Sequence, residues 1–173
     1  RVKGALIYPI AVILIAGVGA VARTRATAWL VAGVAVAGLV SRWLVFLRPS
    51  PERVLTDAVL FALVLGVLAA VVLVQVFRAG PITAGRIVGA VVFYLLLGLM
   101  WASLYEAMGA MDIQAFSGPH PPKGWLQFTY FSFTTLTTVG YGDITPAHPF
   151  ARALAMVEAT VGPLYLAILL AFL

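Results

Sequence analysis

Two glycines alternate with larger side chains in the pentapeptide TVGYG, residues 138–142, which lies between two long apolar stretches. Glycine adopts positive φ angles without strain, so this spacing permits a backbone whose handedness alternates from residue to residue. Such a backbone can direct successive carbonyl oxygens to the same side. A column of carbonyl oxygens facing an axis can replace the water shell of a dehydrated cation. The pentapeptide is therefore compatible with a segment that lines a path through main-chain oxygens.

The surrounding composition is that of a membrane protein. Of the 173 residues, 63% are hydrophobic and 10% are charged, whereas a soluble domain is about half apolar and about a quarter charged. The net charge of +5 is scattered, with no basic patch interleaved with aromatic residues, so we expect no nucleic acid partner. The absence of cysteine excludes disulfides, thiolate catalysis and cysteine metal sites.

Five apolar stretches are long enough to cross a bilayer, which takes roughly 20 residues per helix. They are residues 4–22, 26–47, 58–77, 87–105 and 149–173. The second contains Arg42, and the fifth contains Arg152 and Glu158. The sequence predicts an all-α multi-pass membrane protein with five transmembrane helices.

A shorter amphipathic segment, residues 125–137, directly precedes the pentapeptide. As a helix it would be about 20 Å long, enough to descend partway into the membrane and too short to span it. Its carbonyl end would carry about half a negative charge, which stabilises a cation in the middle of the membrane. Extended backbone at this depth is tolerated only where protein buries it or where it lines a watery path. We therefore expect a re-entrant helix followed by an extended lining segment.

Polar links separate the predicted helices at residues 22–26, 48–57, 78–86 and 109–124. In the second link we expect the prolines to end one helix and Thr56 or Asp57 to cap the next. The fourth link is rich in proline and glycine and lacks periodicity, which predicts an exposed loop.

The stretch TTLTTVGYGD, residues 134–143, resembles the filter of the tetrameric potassium-channel pore family, and the resemblance covers about residues 84–173. It implies an outer helix at 84–108, a pore helix at 125–137, a selectivity filter at 138–143 and an inner helix at 149–173. Residues 1–83 would then form three peripheral transmembrane helices.

The resemblance implies a homotetramer in the cell membrane that conducts K+ passively and selectively. K+ is the permeant ion, and no cofactor is expected. The residues implied to form the K+ site are Thr138, Val139, Gly140, Tyr141 and Gly142. The first four would offer main-chain carbonyls, while Gly142 and Asp143 would form the outer mouth.

Four residues are expected to support the filter, namely Phe131, Thr134, Asp143 and Glu158. Many relatives carry tryptophan in place of Phe131, and its indole N–H bonds the aspartate after the filter; we expect that bond to Asp143 to be missing here. Some relatives carry glutamate at the position of Thr134. Threonine has no carboxyl group and cannot form the carboxyl pair that this glutamate forms. Glu158 could hydrogen-bond the pore helix or filter, or it could line the cavity and attract cations.

The aromatic residues of the pore helix have two interpretations. Tyr130, Phe131 and Phe133 could pack in the core, as aromatic residues generally do. The resemblance implies instead an aromatic collar around Tyr141.

Gly162 and Pro163 are the gating candidates, because proline within the inner helix predicts a kink. The kink could be a gating hinge or a fixed bend. A voltage sensor needs several arginines along one helix face, and none of the first three spans has them, so no intrinsic voltage gating is expected. Among the first three spans, Arg42 is the one arginine that lies within a span.

The resemblance places the filter's outer mouth outside the cell and Leu173 near the cytoplasm. Links 22–26 and 78–86 then face inside; they hold four arginines and no acidic residue, in agreement with the positive-inside rule. This orientation puts Arg1 outside, so either a further span precedes Arg1, which we favour, or the first segment does not fully cross the membrane. A cytoplasmic regulatory domain could follow Leu173.

Two other functions stay open. A potassium uptake transporter component would need four such pore loops per chain, and this chain has one. A regulatory or structural channel subunit would carry the filter without conducting alone. An enzyme is not expected, since the six acidic residues and two histidines form no nucleophile–base pair, paired carboxylates or metal-ligand cluster.

Overall fold

The computed structural model describes residues 50–172 apart from 79, 82, 120, 121 and 123, together with five earlier positions, 33, 36, 38, 40 and 43, which are helical. The elements with defined bounds are α1 (Pro51–Val76), α2 (Ala84–Met111), β1 (Phe116–Ser117), α3 (Trp125–Leu136), β2 (Thr145–Pro146) and α4 (Pro149–Phe172). The first two predicted spans therefore lie outside the described residues, except for those five positions. Arg42 is also outside them.

Three of the five predicted spans are helices long and apolar enough to cross a membrane, namely α1, α2 and α4. The described part of the chain is therefore mostly helical, as expected of an α-helical membrane protein. The outer helix extends to Met111, three residues beyond its predicted end, and the pore helix ends at Leu136, with Thr137 at its C-cap. The predicted loop 109–124 thus begins as helix and contains the short strand β1.

The start of α1 differs from the prediction. The helix begins at Pro51, and the Ser50 side chain accepts a hydrogen bond from the Arg53 N–H at 3.4 Å. Thr56 and Asp57, the predicted caps, lie inside the helix. Proline suits the first helical position because its fixed φ matches the helix and it lacks an N–H that would need a partner. The sequence pattern Ser-Pro therefore starts this helix, and the expectation that the link continues to residue 57 is wrong.

Helix α2 is the centre of the fold, since it contacts α1, α3 and α4. One face of α1 packs on it through residues spaced three or four apart, as a helix burying a single face requires. These residues are Phe61, Leu65, Leu68, Val72 and Val76.

Helix α3 runs antiparallel to the C-terminal half of α2. A Cβ added at Gly109 would lie 2.5 Å from the Phe128 ring, and one added at Gly98 would lie 2.7 Å from the Phe133 ring. The helix then ends where the Tyr94 hydroxyl donates to the Leu136 carbonyl at 3.3 Å. Because Tyr94 lies near the middle of α2, α3 descends only partway along it.

The chain returns to its starting side after α3. Strand β2 pairs antiparallel with β1, which follows the C-terminal end of α2, with Phe116 opposite Pro146 and Ser117 opposite Thr145. The segment from α3 to β2 therefore enters and leaves at the same end of α2. The re-entrant position of this segment in a membrane stays a prediction.

The C-terminal end of α1 also contacts α4. Phe77, directly after α1, packs edge-on against Tyr165 with ring centroids 6.5 Å apart and against Phe172 at 5.1 Å. The Tyr165 hydroxyl donates to the Ala90 carbonyl of α2 at 3.0 Å. The C-terminal half of α4 is thus held by α2 and by Phe77 at the end of α1.

Arg86 joins the two ends of the α1–α2 connection. Its guanidinium donates to the Val76 carbonyl at 2.7 and 3.1 Å, to the Gly80 carbonyl at 2.7 Å and to the Pro81 carbonyl at 3.1 Å. It also donates to the Arg78 carbonyl. These carbonyls lie at and beyond the end of α1, where helical partners are lacking.

We expect Arg86→Ala to lower the free energy of unfolding by roughly 1–3 kcal/mol, because the four carbonyls that this guanidinium binds all lose their charged donor at the same time. Arg86→Lys should recover only part of the loss, since an ammonium group cannot reproduce the guanidinium fork. Thermal unfolding of the purified protein in detergent measures both changes. Arg152→Ala, which removes a guanidinium contact to the Pro146 carbonyl, is the control. An Arg86→Ala protein that melts no earlier than the Arg152→Ala protein contradicts the prediction.

Candidate filter and its supports

The backbone of residues 138–142 alternates in handedness. Thr138, Gly140 and Gly142 have φ angles of 59°, 52° and 76°, whereas Val139 and Tyr141 between them are not in the positive-φ region. Thr138 is the one described non-glycine residue with positive φ. For a β-branched residue this conformation costs about 1–2 kcal/mol. Strain that a fold retains in this way marks a position where the backbone direction matters more than local stability.

The start of this segment is bonded to the end of α3. The Thr138 N–H donates to the Thr135 carbonyl at 2.9 Å, and the Gly140 N–H donates to the Thr134 carbonyl at 3.0 Å. Throughout the described residues, no backbone N–H donates to a carbonyl of residues 138–142. These carbonyls are therefore available to an ion, while two of the N–H groups that would repel a cation are occupied.

Thr134 acts on this segment through its backbone. Its carbonyl receives the Gly140 N–H, and its hydroxyl donates to the Phe131 carbonyl at 2.9 Å. The side chain thus stabilises the last turn of α3 and does not contact Asp143. The C-terminal end of α3, with its partial negative charge, lies directly beneath the positive-φ segment.

Asp143 has a hydrogen-bond donor, contrary to the expectation from the sequence. The Tyr130 hydroxyl donates to Asp143 Oδ2 at 2.9 Å, and the Tyr130 ring lies parallel to that of Tyr141, with centroids 6.2 Å apart. Desolvation, and then the bond to Asp143, raise the pKa of the Tyr130 hydroxyl, a direction that favours its protonated, donating form. The donor stands one residue before Phe131, so Asp143 is bonded from a position that was not predicted from the sequence.

Phe131 has a different place. It is buried, and its ring packs edge-on against Tyr105 at 4.9 Å and against Phe116 at 5.4 Å. Phe133 packs on Gly98 of α2. Both follow the core-packing interpretation, and Tyr130 is the pore-helix aromatic residue that stacks on Tyr141. Phe131 can therefore affect the filter only through the position of α3.

Glu158 of α4 is completely buried and joins three helices. Its Oε2 accepts from the Tyr105 hydroxyl of α2 at 2.6 Å, and its Oε1 lies 2.5 Å from the Ser132 hydroxyl of α3. Ser132 also lies 2.7 Å from the Gly98 carbonyl. Of the two interpretations of Glu158, this geometry fits hydrogen bonding to the pore helix. A side chain with no exposed surface cannot line a cavity.

The hydrogen count of this cluster favours a neutral Glu158. Ser132 has one hydroxyl hydrogen and cannot donate to the Gly98 carbonyl and to Glu158 at the same time. All three contacts are satisfied when Glu158 donates to Ser132, Ser132 donates to Gly98, and Tyr105 donates to Glu158. An uncharged acid also avoids the high cost of a buried unpaired charge. Tyr105 and Ser132 are supports that were not predicted from the sequence. The available signal was a polar side chain within an otherwise apolar helix.

Glu158→Gln should therefore leave stability and assembly near wild type, because the amide can donate to Ser132 and accept from Tyr105. Glu158→Leu, of similar size, should destabilise the protein by roughly 1–3 kcal/mol, since it leaves two buried hydroxyls without this partner. Thermal unfolding of the two variants side by side makes the comparison. If Glu158→Gln is as unstable as Glu158→Leu, the neutral-acid assignment fails.

Gly162 has a packing reason to be glycine. A Cβ added there would lie 2.0 Å from the Leu136 carbonyl oxygen, at the end of α3. Pro163, the next residue, is exposed, and α4 continues through it as one helix. The close approach of the α4 backbone to the end of α3 explains why this residue is glycine, and no gating hinge is needed for that explanation. The same contact sets the distance between α4 and the base of the candidate filter.

Gly162→Ala should reduce the yield of assembled protein or abolish it, because the added methyl group meets a backbone carbonyl that cannot move alone. Pro163→Ala should assemble normally, since its side chain is exposed and alanine restores a helical N–H. Size-exclusion chromatography of the two variants tests this. Normal assembly of Gly162→Ala contradicts the packing explanation and returns the residue to the hinge interpretation.

Comparison with known proteins places these residues in a family context. Residues 91–173 match a family model described as an ion channel. A segment of 80 residues is 41% identical to "Two pore potassium channel b" of Oryza sativa subsp. japonica. The match covers 46% of this chain and 21% of that relative, so the chain corresponds to about a fifth of the relative's length. No solved structure matches the chain significantly.

Proposed function

We propose that this chain, whose residues 91–173 carry an ion-channel pore of the potassium-channel family, conducts K+ selectively and passively as a homotetramer. The matches indicate a channel and not an enzyme. The observation that carries the proposal is the alternation of positive φ at Thr138, Gly140 and Gly142. Together with the carbonyls of Val139 and Tyr141, those of Thr138 and the glycines would replace the hydration shell of K+.

The exposure of apolar residues around the filter supports a tetramer. Val139 and Tyr141 are 54% and 71% exposed in the single chain, although their side chains are largely apolar. They line an open groove of about 360 Å3 together with Leu126, Tyr130 and Phe133 of α3. One chain provides one wall of carbonyls, so a closed ring around an ion needs several copies. We propose that neighbouring copies fill this groove and pack on the exposed face of α4.

The proposed orientation places the outer mouth outside the cell membrane and the C-terminal end of α4 at the cytoplasm. The α1–α2 link, residues 77–83, and Arg86 would then lie inside, in agreement with the positive-inside rule. Helix α1 has no charged residue between Asp57 and Arg78. This supports a peripheral role without voltage sensing for this span.

The proposal is tested by the reversal potential of the purified protein in planar bilayers under a K+/Na+ gradient. We expect reversal near the K+ equilibrium potential, block by Ba2+, and four subunits per particle by native mass spectrometry. Gly140→Ala should abolish the selective current, because an L side chain strains the required φ of 52°. Gly85→Ala, in the exposed first turn of α2, is the control and should conduct normally.

The outcomes separate the alternative functions. A tetramer that stays silent supports a regulatory subunit, and a nonselective leak contradicts the filter assignment. A selective current that survives in Gly140→Ala would mean that the ion does not pass along these carbonyls.

A further inference from the structure

The loop after α2 lies against the chain segment that follows the filter. We name residues 112–118 the outer loop and residues 143–148 the post-filter segment. The Ala115 carbonyl accepts the N–H groups of Ala147 at 2.9 Å and of His148 at 3.2 Å. Strands β1 and β2 continue this pairing toward the filter. The outer loop is therefore bonded along the length of the post-filter segment.

Gly118 makes the closest approach. A Cβ added there would lie 2.0 Å from the Asp143 carbonyl oxygen and 3.0 Å from its carbonyl carbon. Gly118 also has a φ angle of 145°, which L side chains rarely adopt. Only glycine fits this position, and its backbone touches the last residue of the filter directly.

A side-chain pair fixes the register of this contact. Ser117 Oγ and Thr145 Oγ1 lie 2.9 Å apart, and Thr145 Oγ1 also donates to the Ser117 carbonyl at 3.3 Å. Cross-strand hydroxyl pairs of this kind stabilise the pairing of the two strands. They hold Gly118 opposite Asp143.

Asp143 is consequently held on two sides. The Tyr130 hydroxyl of α3 donates to its side chain, and Gly118 of the outer loop lies close against its carbonyl. Asp143 follows Gly142 directly, so the orientation of its peptide limits how far the outermost filter carbonyls can rotate. Tyr130 belongs to the filter's own re-entrant unit, whereas the outer loop belongs to the outer helix.

We infer that Gly118 is a positioning residue for ion conduction and that the outer loop keeps the outer end of the filter in its conducting geometry. The inference rests on the proposed K+ conduction. When the loop is displaced, the carbonyls near Gly142 are free to turn from the axis, and the assembled channel stops conducting with time. External K+ that occupies the filter opposes this change, because an ion stabilises the state that binds it.

The test compares Gly118→Ala with Gly80→Ala in the full chain in planar bilayers. Gly80 has a φ angle of 140°, nearly that of Gly118, but no atom within 4 Å of an added Cβ. The control therefore introduces similar backbone strain without the clash. We expect the K+ current of Gly118→Ala to decay roughly tenfold faster than that of wild type, and to be slowed by raised external K+. Gly80→Ala should decay at the wild-type rate.

Equal decay rates in Gly118→Ala and wild type would overturn the inference, as would a faster decay that external K+ does not change. Should Gly118→Ala fail to assemble, the double variant Ser117→Ala/Thr145→Val decides, since it removes the hydroxyl pair without a clash. Faster, K+-sensitive decay in that variant supports the inference, and wild-type decay overturns it. Absence of selective current in wild type would instead contradict the proposed function itself.

Discussion

Backbone polar groups in a membrane must find partners within the protein, and the candidate filter is the place where this requirement is left open. The carbonyls of residues 138–142 receive no backbone N–H from any described residue. Unpaired carbonyls in hydrocarbon cost several kcal/mol each. They are tolerated where the backbone lines a watery path, as it would in the proposed channel, and where the surrounding chain prevents them from turning toward other donors. The remaining architecture can be understood as the means of holding them in place.

The supports act on α3 and on the two ends of the filter. Glu158, with Tyr105 and Ser132, ties α3 to both flanking helices by short buried hydrogen bonds. At the base, Gly162 lets α4 approach the Leu136 carbonyl. At the outer end, Tyr130 and the outer loop hold Asp143 from opposite sides. Because close-packed interiors transmit displacements, we expect a shift of any one support to change the carbonyl geometry.

The sequence predicts this site to the extent that chemistry is local. Glycine spacing predicts the alternating handedness, and the short amphipathic segment predicts a helix that descends partway. The failures concern contacts between distant residues. A tyrosine replaces the expected donor to Asp143, and a loop that lacks periodicity contains one strand of the β1–β2 pair. The early start of α1 is an exception, because its signal, Ser50 followed by Pro51, is local. Gly118 and Gly162 are single glycines whose necessity depends on a carbonyl from another element, and no spacing rule reveals such a partner.

The contacts of α1 show why the accessory part of the chain is mechanically connected to the pore. Phe77 packs on Tyr165 and Phe172, and the Tyr165 hydroxyl is bonded to the Ala90 carbonyl of α2. Arg86 fixes the chain around Phe77 by binding the carbonyls on both sides of it. The C-terminal half of α4 cannot move away from α2 without separating these rings and leaving a buried hydroxyl unpaired, which costs about 1–3 kcal/mol. The free energy of any such movement therefore includes a contribution from the residue that ends α1, outside the candidate filter.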